Sequence, residues 1–153
     1  LRRVTLRGTG PLLRCWTSQK DASLSRLTLS ATECVFDLGR PTDRSTSEAT
    51  RPALIAWMTG RLSSNWTSAI DWQLMGVLVP PDIDVIVRVD PSTGHRRPVD
   101  ESQLSIDGLV AARFEFAGPE SPRPEDSVLR SCDAPLPAAA VFGIDANSIP
   151  QMP

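Results

Sequence analysis

The chain has 153 residues, 41% hydrophobic and 22% charged, with a formal net charge of −2. That length suits one domain with a real core, and the composition excludes wholesale disorder. No apolar run approaches the roughly 20 residues that a membrane-spanning helix needs. No basic leader with an apolar stretch and a cleavage site opens the chain. The first residue is Leu1 and not Met, which fits a piece excised from a longer polypeptide.

The small net charge hides an asymmetry. Residues 1–76 carry ten Lys or Arg against six Asp or Glu, and residues 77–153 carry six against twelve. The halves are therefore near +4 and −6. The basic charges stand singly among apolar residues, as on solvated strand faces, so nucleic acid is not an expected partner. Cys15, Cys34 and Cys132 are odd in number and lack C-x-x-C spacing, which implies neither a zinc site nor a disulfide framework. Cys15 and Cys34 fall on neighbouring predicted strands and would pair only with Cα atoms within about 7 Å. Three free thiols are the favoured reading.

From the start, Arg3 to Arg7 alternates as a strand. Gly8 to Pro11 signals a turn, and Leu12 to Thr17 resumes an extended pattern. Gln19 to Asp21 is polar loop, Ala22 to Ser30 alternates imperfectly, and Glu33 to Leu38 is a short strand apolar on both faces at Val35 and Phe36. Gly39 to Thr50 reads as an exposed loop. The run 52–62 admits two readings. Thr50 could cap a helix with Pro52 in its first turn and Gly60 at its end, or Ala53 to Thr59 could be a buried strand. The short helix is the expectation carried forward.

Ser64 to Val89 carries the strongest pattern. Residues two apart read Trp66, Ser68, Ile70, Trp72, Leu74, which gives a strand one face of which is apolar. Straight, Trp66 to Val79 would span about 46 Å at about 3.3 Å per residue, so a bend or bulge is expected near Gly76. Pro80-Pro81 then turns the chain into Ile83 to Val89, predicting a β-hairpin. Asp90 to Gly94 is a strong turn that continues as loop through Pro98, and Gln103 to Ile106 is a short strand. Asp107-Gly108 is a tight turn, and Leu109 to Phe116 is a strand with Val110, Ala112, Phe114 and Phe116 inward. Gly118 to Asp126 is loop, Val128 to Cys132 and Ala138 to Ile144 are strands, and the tail from about 145 is irregular. No internal repeat is visible. Many short strands between turns predict a single all-β domain, an antiparallel β-sandwich or jelly-roll-like barrel.

Candidate chemistry is sparse. His95, the single histidine, lies in a predicted loop beside Arg96 and Arg97, which disfavours an imidazolium and a catalytic triad. Asp82 and Asp84 share a face and, with Asp90, are the candidate oxygen ligands for a hard cation. The competing reading, a solvated strand face with a turn-forming Asp90, is favoured, so no metal is expected. Acids from Asp82 to Asp107 could serve a small hydrolase, although nothing selects a pair. Among the tryptophans, Trp66 and Trp72 share the core stripe, whereas Trp57 is the candidate exposed aromatic for ligand binding. Asn65-Trp66-Thr67 fits the glycosylation acceptor pattern.

No cofactor loop appears. The expectation is a non-enzymatic assembly or surface-recognition module, foremost a virion coat or protruding-type structural domain working as a homo-oligomer at a virion or extracellular surface. The rivals are a secreted carbohydrate- or ligand-binding sandwich and a small β-fold hydrolase.

Overall fold

The computed structural model describes residues 1–8, 10–16, 26–38, 51–59, 69–100, 102, 104–116 and 129–134. The readings made for Gly39 to Thr50, Asn65, Trp66, Gly118 to Asp126, Ala138 to Ile144 and the tail lie outside them. The chain is β-rich, as the alternating patterns predicted, but the strands are arranged differently. Among the described residues twelve strands run in order: β1 Thr5–Gly8, β2 Leu13–Trp16, β3 Leu27–Thr32, β4 Val35–Leu38, β5 Ala53–Met58, β6 Ile70–Met75, β7 Val77–Val79, β8 Asp84–Val89, β9 Arg96–Pro98, β10 Leu109–Ala111, β11 Phe114–Phe116 and β12 Leu129–Cys132.

Apart from β8 with β9 and β11 with β12, successive strands do not pair with each other. They pair with the strand one coil later: β1-β4-β7-β10 form one sheet, β2-β5-β8-β9 a second and β3-β6 a third. Every pairing in these sheets is parallel except β8 with β9. The chain therefore winds as a parallel coil with three strands to the turn, each strand resting on its equivalent above. This overturns the antiparallel sandwich or jelly-roll expectation. Period-2 alternation identifies a strand but says nothing about the direction of its neighbour. A Pro or Gly signal marks a coil corner as readily as a reversal.

The coil repeat escapes a sequence search because its period is irregular. Thr5 pairs with Val35 after 30 positions, Val35 with Leu78 after 43, and Val77 with Leu109 after 32. Each strand still stacks in register, since extra length is taken up between strands and not within them.

The predicted hairpin about Pro80-Pro81 is a corner instead: β7 belongs to the first sheet and β8 to the second. Two residues without an N–H donor suit a corner, where the strand ladder is interrupted anyway. The long strand does break at Gly76, whose φ is 59°, and β6 and β7 on either side lie in different sheets. The expected helix at 52–62 is also corrected, because Ala53–Met58 is β5 and Ala53 through Trp57 are buried. A strand held between β2 and β8 and covered on both faces needs a continuous apolar run, which by itself resembles a buried helix.

Inside the coil, Phe36, Leu38, Leu54, Ile55, Trp57, Val77, Val79 and Ile86 form the main core, with Trp72 and Leu74 packed partly against it. The predicted strand from Leu109 to Phe116 is interrupted after Ala111 and resumes as β11, which pairs with β12 as a two-stranded ribbon. Val110, Ala112, Phe114 and Phe116 still share one apolar cluster, now with Val35 and Leu78 from the outer side of the first sheet. The ribbon thus covers a sheet face that would otherwise expose valine and leucine. No strand forms at Leu104 to Ile106, whereas Arg96–Pro98, expected as loop, pairs with β8.

Candidate functional site

A cleft of about 870 Å³ opens where the coil corners meet the β11–β12 ribbon. Three sequence features place it. Pro52, which leads into β5, and Pro80-Pro81, between β7 and β8, stand at corners of successive coils and line one side. Opposite them, Arg113, Glu115, Ser131 and Asp133 come from the ribbon. Asp37 and Leu38, ending β4, complete the lining with Ala112 and Phe114. Proline walls add no backbone donor and hold φ fixed, so that side is rigid and apolar. The ribbon side is polar and ionic.

The cleft adjoins a buried ion pair. Arg7 on β1 and Asp37 on β4 are register partners, with Arg7 Nε 3.5 Å from Asp37 Oδ2. The Asp37 side chain is 2% exposed and that of Arg7 11%. The Arg7 guanidinium lies 4.2 Å from the centre of the Phe116 ring, while Phe116 meets Phe114 edge-on at 5.6 Å. Cation–π attraction joins ribbon to sheet at that point, and the excluded water strengthens it. On the ribbon, Asp133 Oδ1 accepts the Arg113 N–H at 2.7 Å, and the Asp133 N–H donates to the Arg113 carbonyl at 3.0 Å. Asp133 is thereby held in place beside the cleft.

The candidate residues from the sequence are scattered. Asp82 lines the cleft and is exposed. Asp84 begins β8 and Asp90 follows its end, about 20 Å away along a six-residue strand. Asp90 closes the β8–β9 turn. Its Oδ1 accepts the Ser92 hydroxyl at 2.6 Å, the Ser92 N–H at 2.8 Å and the Thr93 N–H at 3.3 Å. These bonds, led by the Ser92 hydroxyl, hold its carboxyl below the usual aspartate value. Among the described residues no group of three or more His, Cys, Asp or Glu is placed to hold a metal ion. Of the described acids named for a hydrolase, only Asp82 reaches the cleft.

His95 is exposed in the same turn. Trp57, expected at the surface, is 4% exposed and sits in the main core. It shares the core-facing side of its register partner Cys15, and among the described residues the exposed aromatic is Trp16, 71% exposed at the end of β2. Cys15, Cys34 and Cys132 are free thiols, and partial burial raises the pKa of Cys15. Among the described residues no helix is long and apolar enough to cross a membrane.

Sequence reasoning missed Asp37 and Arg7, and it set Trp57 ahead of Trp16 as the exposed aromatic. Asp37 carried a signal, an acid inside the otherwise apolar run Val35-Phe36-Asp37-Leu38. A buried acid demands a cationic partner, and Arg7 is that partner, though only the coil register identifies it. No protein-family model matches the chain, and no match is found among curated proteins or solved structures.

Proposed function

We propose that the chain is a non-enzymatic assembly or surface-recognition module, of the kind that serves as a virion coat or protruding-type structural domain. The observation that carries the reading is an exposed aromatic beside an exposed cation: Trp16, 71% exposed, stands two residues from Arg14 on β2, and Trp and Arg are enriched among the residues that anchor protein–protein contacts. Further support comes from charge. The coils are joined by Arg3–Glu33 at 2.7 Å, Arg7–Asp37 at 3.5 Å and Arg26–Asp71 at 3.6 Å, each an arginine of the first coil set against an acid of the second.

The test is sedimentation of the purified protein over a range of concentrations at two ionic strengths. Self-association that weakens with salt is expected, because exposed charges are screened beyond about 8 Å at physiological ionic strength. A strict monomer throughout removes the assembly reading. The secreted ligand- or carbohydrate-binding reading is then in front, and the cleft is what favours it. Calorimetric titration with a panel of glycans separates the two.

A further inference from the structure

We propose that a second copy of this chain docks into the cleft through Trp16 and Arg14 of its β2 strand. The inference rests on the assembly reading and assigns its contact surface. Leu13 and Cys15 of β2 pack against the main core, so Arg14 and Trp16 are directed outward, and both are exposed. They stand about 6.6 Å apart along the strand, at about 3.3 Å per residue. Trp and Arg are both enriched among interface anchors, since each contributes large contact area and directional bonding.

The cleft offers the complement. Asp82, Glu115 and Asp133 are exposed acids lining it, with Arg113 the one cationic residue of its lining among the described residues. The rings of Pro52, Pro80 and Pro81 form a rigid apolar wall against which an indole packs without stranding a backbone donor. About 870 Å³ lies within the range of roughly 300–1,000 Å³ that holds drug-sized groups.

Charge complementarity selects the occupant. Among the described residues up to Thr32 the first coil holds Arg2, Arg3, Arg7, Arg14 and Arg26 and no acid. Arg3, Arg7 and Arg26 are matched by acids of the second coil. Arg2 and Arg14 have no ion pair among the described residues and are left to face a partner. Both halves of the match, basic knob and acidic cleft, are present on one chain. Trp16 does not line its own cleft, so the contact joins different copies. Knob and cleft are different surfaces, which makes the contact heterologous and the product a ring or an open chain of subunits.

Two variants test this. One carries Trp16→Ala with Arg14→Glu, and the other Asp82→Arg with Glu115→Arg. All four positions are exposed, and far-UV circular dichroism checks that each variant keeps the wild-type fold. In sedimentation velocity the wild type is expected to associate, and each variant alone to associate at least about tenfold more weakly, the loss typical of a removed anchor. An equimolar mixture retains one intact knob and one intact cleft. It is expected to give a 1:1 dimer and nothing larger. Should the arginine substitutions disturb folding, Asp82→Asn with Glu115→Gln keeps the side-chain shapes and has the same expected result. A wild type that associates while either variant matches it, or a mixture that stays monomeric, overturns this contact and leaves the assembly reading standing. A wild type that is monomeric at every concentration overturns both.

Discussion

Gly108→Ala probes the coil geometry at one atom. Gly108 stands at the corner before β10 with φ of 81°, in the left-handed region, and its carbonyl accepts the Val77 N–H at 2.9 Å. A Cβ there would come within 2.6 Å of the Leu74 carbonyl carbon and 3.1 Å of the Met75 nitrogen, and closer still to the Leu74 oxygen. All three are backbone atoms of the coil below, so no side chain can rotate away. The left-handed conformation costs alanine about 1–2 kcal/mol. Moving the corner to relieve the overlap weakens the Val77 bond, for about another 1 kcal/mol. The sum is about 2–3 kcal/mol before any further repacking.

Gly94→Ala supplies the control. Gly94 has φ of 70° but nothing within 4 Å of its Cβ position, so only the conformational part applies. Thermal unfolding followed by circular dichroism resolves the difference. For a domain of this size each 1 kcal/mol moves Tm by about 2–4 °C. Gly108→Ala is expected to melt several degrees below Gly94→Ala. Equal melting temperatures would refute the close stacking of the Gly108 corner on Leu74, and with it the coil register there.

Trp57→Ala is expected to destabilise by about 3–5 kcal/mol and Trp16→Ala by no more than about 0.5 kcal/mol, read as urea midpoints. The reverse order would restore Trp57 to the surface. Asp37→Ala leaves Arg7 buried beside Phe116 without its acid and is expected to cost about 3–5 kcal/mol, whereas Arg7→Met with Asp37→Leu recovers much of the loss. Additive losses in that double-mutant cycle would deny the pair its coupling. Asp90 has a depressed carboxyl pKa, led by the Ser92 hydroxyl bond. Its contribution is therefore present above the unfolded aspartate value and lost as pH falls through the folded one. Asp90→Asn is expected to flatten the acid limb of a stability–pH profile, and an unchanged limb counts against the turn. His95→Ala is expected to leave both melting and association unaltered, and loss of an activity with native circular dichroism would argue for catalysis.

Local patterning was enough to show that the chain is β-rich and where many strands lie, because alternation and apolar runs are properties of neighbouring residues. Val35-Phe36 read as covered on both faces, and the break at Gly76 was legible from the length of the run before it. Val110, Ala112, Phe114 and Phe116 belonged together even though the strand is interrupted after Ala111, since alternate residues keep one face toward the same apolar cluster. Strand direction and partner were decided only in the tertiary structure. Thr5 meets Val35, and Val35 meets Leu78, across intervals that differ by 13 positions, so no period survives for a sequence to display. The cleft was illegible for the same reason. Asp37, Pro52, Pro80, Glu115 and Asp133 are far apart along the chain, and stacking of the coil corners is what brings them together. Trp57 and Trp16 make the point most simply. Each ends or nearly ends an apolar run, and the stacking register decides which is buried. Trp57 pairs with Cys15 and shares its core-facing side, while Trp16, one residue on, pairs with Met58 on the outward side.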